Sequence, residues 1–415
     1  MKVLKFGGTS VGSAQRMKEV AKLITDGERK IVVLSAMSGT TNTLVEISDY
    51  LYKKNPEGAN EIINKLESKY RQHIDELFAT PEYKQKGLEL IKSHFDYIRS
   101  YTKDLFTLFE EKVVLAQGEL ISTAMMNYYL QECGVKSVLL PALEYMRTDK
   151  NAEPDPVYIK DKLQVQLELH PDAEIYITQG YICRNAYGEI DNLQRGGSDY
   201  TASLIGAAIN ASEIQIWTDI DGMHNNDPRI VDKTAPVRHL HFEEAAELAY
   251  FGAKILHPTC IQPAKYANIP VRLLNTMDPT APGTLISNDT EKGKIKAVAA
   301  KDNITAIKIK SSRMLLAHGF LRKVFEIFES YQTSIDMICT SEVGVSVSID
   351  NVKHLNEILD DLKKYGTVTV DKDMCIICVV GDLEWENVGF EAKALDAMRD
   401  IPVRMISFGL SLIHI

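Results

Sequence analysis

The sequence predicts an α/β protein, a mainly parallel sheet sandwiched by helices, followed by smaller α+β units. Three observations predict it. Short hydrophobic runs alternate with helical patterns up to about Ser287, and glycine pairs stand where two such segments meet. Beyond a Pro- and Gly-rich stretch at residues 279–283, two-residue alternation mixes with short amphipathic stripes.

In order, Val3–Phe6, Ile31–Ala36, Val138–Leu140, Glu174–Ile182, Ile214–Thr218 and Val271–Asn275 read as strands. Helical patterns cover Val11–Thr25, Leu120–Cys133 (stopped by Gly134), Asp199–Asn210 and Phe242–Phe251 (stopped by Gly252). Such alternation gives a largely parallel sheet with helices on both faces, whose ligands sit beyond the carboxyl ends of the strands. Residues from about 45 to 114 read as a helical insertion. The first domain is therefore 1–287, a linker and first small module 288–371, and a second module 372–415. In the first module Ile304–Ile309 alternates as a strand. Phe320, Leu321, Val324, Phe325 and Phe328 share a helix face, and Val343–Ile349 alternates again. Leu355, Ile358, Leu359 and Leu362 form a second stripe, a strand pair follows around Thr367–Val380, and a helix lies near Glu391–Met398. The order is β-α-β-β-α-β, a ferredoxin-like unit and the start of another.

Bulk properties narrow the function. At 415 residues two or three domains are expected. A net charge of −10, with no Lys/Arg run, argues against a nucleic-acid platform. Six scattered cysteines read as reduced, cytoplasmic thiols. Cys375 and Cys378, three apart on an apolar strand, face opposite sides and are expected to be core residues rather than a metal or redox pair. A strand begins at once with no leader pattern, and no apolar run is long enough to span a bilayer.

Five clusters carry the chemistry. Lys5-Phe6-Gly7-Gly8-Thr9-Ser10 breaks a strand on two glycines just before the helical pattern from Val11, so backbone N–H groups and a helix N-terminus can meet an anion, with Lys5 at the lip. Neither the P-loop nor the G-x-G-x-x-G spacing is present. Ser35–Asn42 is small and hydroxyl-rich, suited to close ligand approach or to a plain loop. Glu119 enters an apolar helix, either complementing its dipole or anchoring an ammonium. Arg195-Gly196-Gly197-Ser198-Asp199 places a second glycine pair before a helix; Arg195 can clamp a carboxylate and Asp199 can orient Lys5 or a metal. Trp217–Met223, Asn226–Arg229 and Gly252–Pro258 supply acidic groups for ribose or Mg²⁺, and Arg229 and Lys254 for phosphates. His257 before Pro258 reads as a turn residue. Two cation-bearing glycine loops in one sheet suggest two anionic ligands facing each other, the geometry of phosphoryl transfer.

Together these motifs resemble aspartokinase, of the amino-acid-kinase fold. Lys5–Ser10 matches KFGGTS, Ser35–Asn42 the hydroxyl-rich second loop and Arg195–Asp199 RGGSD. Trp217–Gly222 with Asp227-Pro228-Arg229 matches WTD-x-DG…DPR, and Gly252–Pro258 matches GAK-x-LHP. The resemblance covers essentially the whole chain. It implies ATP-dependent phosphorylation of the aspartate side-chain carboxylate with Mg²⁺ on the phosphates. Lys5 and Asp199 would be catalytic, and Thr41, Glu119, Arg195 and Ser198 would hold aspartate. Lys5, Gly7, Gly8, Thr218, Asp219, His224, Arg229 and Lys254 would hold ATP, and no protein cluster would bind metal. The C-terminal region resembles paired ACT modules that bind an amino-acid effector and form a homodimer. Met314, Phe320, Leu321, Ser334, Ile335, Asp336, Ser341 and Glu342 match the effector loop and facing strand of lysine-sensitive members. Ala317 stands where those members often place serine. The family continues beyond the Ser407–Ile415 segment, so the second module is expected to be incomplete. The alternatives are a kinase for another small amino acid such as glutamate, and a non-catalytic amino-acid sensor.

Overall fold

The computed structural model describes all residues except 104, 194–195, 252–255, 290, 292, 313–317, 382–387 and 410–411. The chain forms two compact units. One comprises Met1–Met223, Arg238–Phe242 and Leu256–Asp289; the other comprises His224–Val237, Glu243–Ile255 and Thr290–Ile415. The expected boundary at 287 thus falls near the last crossing, but two earlier stretches also belong with the C-terminal unit.

The first unit opens with β1 (Lys2–Phe6), α1 (Ala14–Ile24) and β2 (Lys30–Leu34), then α2 (Thr40–Tyr52), α3 (Pro56–Leu77), α4 (Pro81–Ser100) and α5 (Leu108–Glu132). It continues with β3 (Ser137–Leu140), α6 (Ala142–Tyr145), α7 (Pro156–Glu168), β4 (Ile175–Gln179), the hairpin β5 (Ile182–Arg184) and β6 (Ile190–Asn192), α8 (Gly197–Ile209), β7 (Ile214–Thr218) and β8 (His239–His241). After α9 (Phe242–Phe251), which from Glu243 on belongs to the second unit, come α10 (Gln262–Tyr266), β9 (Val271–Asn275) and β10 (Thr284–Ser287) of the first. Eight strands form one sheet in the order β3-β4-β2-β1-β7-β9-β10-β8, and only the β9–β10 pairing is antiparallel. Strands β2 and β4 are buried at every residue, as a parallel strand covered on both faces requires.

The pleat assigns the faces. Leu4, Phe6, Val32, Leu34, Ile175 and Ile177 share one core with residues of α1 to α5. Lys5, pointing the other way, faces α8, which approaches so closely that a Cβ on Gly206 would overlap Ile214. Two helices differ from expectation. Helix α1 starts at Ala14, because the Ser13 side chain accepts the Arg16 N–H at 3.3 Å and caps it there. Helix α5 starts at Leu108 rather than Leu120, set by a capping box between Thr107 and Glu110. The expected strand Glu174–Ile182 ends at Gln179, where Tyr181 takes a left-handed φ of 68°.

The second unit carries β11 (Ile295–Lys310), α11 (Phe320–Ser330), β12 (Met337–Ser341), β13 (Gly344–Ile349), α12 (Leu355–Lys363), β14 (Thr367–Gly381), α13 (Phe390–Ala397), β15 (Ser407–Gly409) and β16 (Leu412–His414). Its sheet runs β12-β13-β11-β14-β16-β15. The strand pair expected around Thr367–Val380 is one continuous strand. It pairs with β11 through register shifts, beside which Asn303 and Asp373 take positive φ. Strand β14 therefore passes through the expected module boundary at 371. One core, with Ile307, Val324, Phe328, Val345, Val347, Ile358 and Leu362, belongs to the first module; another, around Val379, Met398 and Ile413, to the second. Cys375 and Cys378 face opposite sides as expected, but only Cys378 is buried; Cys375 is exposed, a correction that follows from β14 having one solvent-facing side there.

His73, on α3, is buried beside Met17, and burial pushes its imidazole down to about 4. The unfolded chain then binds more protons than the folded one between about pH 4 and 6.5, so stability falls as pH drops through that window, by up to about 3 kcal/mol. Denaturant unfolding at pH 7 and pH 5 measures this loss, which His73→Gln should reduce.

Candidate active site

The site assembles at the carboxyl end of β1. Gly7 donates its N–H to the Trp217 carbonyl at 3.4 Å, and the Gly8 carbonyl accepts the Ser38 N–H at 3.1 Å. A Cβ on Gly8 would lie 2.8 Å from the Ala36 carbonyl oxygen, so only glycine lets the two loops touch there. The Ser10 and Thr276 hydroxyls meet at 2.7 Å. Because α1 begins at Ala14, its N-terminus does not directly follow the glycine pair; the loop and Lys5, rather than the α1 dipole, form this part of the site.

Lys5 Nζ lies 2.7 Å from Asp199 Oδ1, and both side chains are mostly buried. Asp199 occupies the first turn of α8, entered through Gly196 at φ 73°. A Cβ on Gly196 would overlap Cys260 Sγ, so this position rejects larger residues on both conformation and space. Ser198 is tied to the second loop by a 2.9 Å hydrogen bond from Ser35 Oγ, and its hydroxyl fills the space beside Gly180.

Glu119 stands in the middle of α5, which corrects the helix-dipole reading, since the N-terminus lies at 108. It is 3% exposed. Oε1 accepts the Ala36 N–H at 3.3 Å, while Oε2 is buried with no hydrogen-bond partner among the described residues. Burial pushes its carboxyl up to about 8, against the smaller opposing pull of the Ala36 N–H. Gly118 lets α5 lie flush under this loop, since a Cβ there would be 2.8 Å from Ala36 Cβ. Ser122 Oγ donates to the Ser35 carbonyl at 2.8 Å, and the Tyr70 and Thr40 hydroxyls meet at 2.8 Å beside half-buried Thr41. Lys5, Gly7, Gly8, Ser198, Asp199 and Glu119 are thus joined through the Ser35–Thr40 loop. Sequence reasoning did not single out Tyr70, Ser122, Gly180 or Cys260 because none carries a local signal.

Thr218 ends β7 and Asp219 follows it; the Thr218 hydroxyl donates to Asp219 Oδ1 at 3.1 Å. Arg195 and Lys254 lie outside the described residues. In the second unit His224 Nδ1 is 2.9 Å from Thr234 Oγ1, and Arg229 forks onto Asp227 with its closest approach at 2.6 Å. His257 caps the turn Pro258–Ile261, as its turn reading expected. Among the effector candidates, Met314 lies outside the described residues. Phe320 is buried in the first-module core, and Ile335 packs against the same core. Leu321, Ser334, Ser341 and Glu342 are exposed. Asp336 precedes β12 and Ser341 ends it, about 17 Å apart along an extended chain.

The model of the amino acid kinase family matches residues 1–275. The chain belongs to that family. Aspartokinase 1, chloroplastic, of Arabidopsis thaliana is 36% identical over 436 residues, spanning 100% of this chain and 76% of its own. Escherichia coli aspartokinase III in complex with aspartate and ADP (R-state) superposes with a TM-score of 0.83 at 30% identity, covering 100% of this chain and 96% of that one. The same enzyme in complex with lysine and aspartate (T-state) gives 0.79 at 32% identity, with the same coverage. Within the family, this chain stands with the aspartokinases.

The raised Glu119 carboxyl has a consequence for the ligand-free fold. The folded state holds this proton more tightly than the unfolded chain between about pH 4.5 and 8, so stability falls as pH rises through that range. Glu119→Gln should therefore be more stable than the parent at pH 8–9, by on the order of 2 kcal/mol or more, as read from denaturant midpoints.

Proposed function

We propose that the chain transfers the γ-phosphoryl group of ATP to the side-chain carboxylate of L-aspartate, giving 4-phospho-L-aspartate and ADP, under feedback from lysine. The observation that carries this is the Lys5–Asp199 pair at the end of β1, joined by one loop to a buried, half-unpartnered Glu119. An aspartate carboxylate oxygen attacks the γ-phosphorus as the bond to the β–γ bridging oxygen breaks, and its electron pair leaves with ADP. No proton moves, so no general base is needed. Lys5 neutralises charge on the group in flight, and Asp199 keeps the ammonium on station. Glu119 meets the substrate ammonium, Arg195 its α-carboxylate, and Thr41 and Ser198 complete the cradle. Gly7, Gly8, Thr218 and Asp219 take the nucleotide; the family resemblance adds His224, Arg229 and Lys254.

Asp199 is committed to Lys5, and the described part of this unit has no cluster of three carboxylate, imidazole or thiol ligands. Mg²⁺ would be held by the nucleotide phosphates, where it would supply charge neutralisation. A homodimer through the ACT modules belongs to the same reading by family resemblance. All six cysteines are free, and no described helix is long and apolar enough to cross a membrane, in keeping with a cytoplasmic site of action.

ADP release on mixing with Mg-ATP and L-aspartate, and then with L-glutamate, tests the substrate. Turnover on glutamate alone would replace it. Lys5→Ala should cut turnover ~10²-fold or more while leaving aspartate affinity nearly intact; weakened binding at unchanged turnover would remove Lys5 from the transition state. Glu119 adds a second test. An ammonium placed beside it favours its ionised form, so aspartate binding near pH 7 should release close to one proton, fading above about pH 9. Calorimetry in buffers of different ionisation enthalpy counts it, and Glu119→Gln should abolish it.

A further inference from the structure

Strand β16 pairs with β14 in one register: Cys378 stands opposite His414, Val379 opposite Ile413 and Val380 opposite Leu412. Val379 and Ile413 belong to the second-module core. The pleat therefore turns Cys378 and His414 to the other face, side by side on neighbouring strands. Helix α9 meets that face. Glu247 and Phe251, four residues apart and so one above the other on α9, both touch His414. Glu247 Oε2 lies 3.1 Å from His414 Nε2, and the Phe251 and His414 ring centres are 4.9 Å apart. One ligand atom from each of Glu247, Cys378 and His414 lies within 4.8 Å of the other two, and no other such group of three forms among the described residues.

An ion pair accounts for Glu247 and His414, and packing accounts for a buried Cys378. Neither requires the three donor atoms to converge. Thiolate, imidazole and carboxylate are together the ligand types of Zn²⁺, whereas Mg²⁺ and Ca²⁺ take oxygen alone. A tetrahedral zinc site with bonds of about 2.0–2.3 Å spaces its ligand atoms roughly 3.3–3.7 Å apart. The Glu247–His414 separation is already close to that, and the wider ones close by side-chain rotation. The strand ladder places Cys378 and His414 beside each other before any ion arrives. Cys378 is buried, while the His414 and Glu247 side chains are 16% and 31% exposed. That outer side gives an ion its way in and leaves room for a water.

We propose that Glu247, Cys378 and His414 bind one Zn²⁺, with a water as fourth ligand, and that the ion staples helix α9 to strands β14 and β16. Cys378 binds as the thiolate, its proton passing to solvent. All three ligands belong to the second unit, so this ion is a structural one and separate from the Mg²⁺ carried by the nucleotide. The ligands are far apart in sequence, which is why no short Cys/His spacing announces them.

The test uses the full chain, stripped with a chelator and titrated with Zn²⁺ or Co²⁺. The parent should take up one Zn²⁺ per chain in competition with a chromophoric chelator. Co²⁺ should give a thiolate charge-transfer band and the intense visible bands of a four-coordinate ion. Saturating Zn²⁺ should slow hydrogen exchange across residues 243–251 and raise the denaturant midpoint. Cys378→Ser should lose the charge-transfer band, whereas Cys375→Ser, at the exposed cysteine of the same strand, should match the parent. Glu247→Gln and His414→Gln, at partly exposed side chains, should each weaken Zn²⁺ binding at least ~10-fold. Failure of the parent to take up Zn²⁺ would overturn the site. So would a cobalt–thiolate band that survives Cys378→Ser, or parental affinity in both Glu247→Gln and His414→Gln. Unchanged exchange across residues 243–251 in the zinc-saturated parent would overturn the staple.

Discussion

The catalytic unit depends on a lysine that has to be charged, nearly dry and aimed. Lys5 projects from the middle of an eight-stranded sheet toward α8, where burial without a partner would be costly. Asp199 removes that cost at 2.7 Å. The requirement then spreads outward. Asp199 can reach Lys5 only if α8 begins at Gly197. That start needs Gly196 in a left-handed turn with Cys260 packed behind it, and the second loop is tied to Ser198 by Ser35.

Glu119 follows the opposite logic. Nothing described neutralises it, and one oxygen is left bare beneath the loop that Ser198 anchors. A buried acid in this condition is unstable as an ion, and burial keeps its proton on up to about pH 8. The Ser35–Thr40 loop meets Gly8 through the Ser38 N–H and Glu119 through the Ala36 N–H, so one loop touches both groups.

Much of this was legible from local signals. The glycine pairs, Lys5 and Asp199 announced themselves because strand ends and helix starts have short-range chemistry. Phe242–Phe251 coincides with α9 as read from its periodicity and stopping glycine. What was not legible depended on distance in sequence. The start of α5 is masked in the sequence because Leu108–Val114 lacks the apolar density of the following turns, and only the Thr107–Glu110 box marks it. Glu119 therefore looks from the sequence like a first-turn residue, with the ammonium anchor as its alternative, and lies mid-helix. Tyr70, Gly180 and Cys260 matter through partners 30, 18 and 64 residues away, respectively Thr40, Ser198 and Gly196, and no local pattern marks them. The single strand β14 looked like two because its register shift interrupts the alternation.

That long strand has a mechanical consequence. Strands β11 and β14 each begin in one regulatory module and end in the other, so the modules have two shared rails rather than a hinge. Sliding one rail by a residue would invert which side chains face the helices along its whole length. Neither module can therefore be re-registered by itself: the alternation that buries one core fixes the pairing of the other.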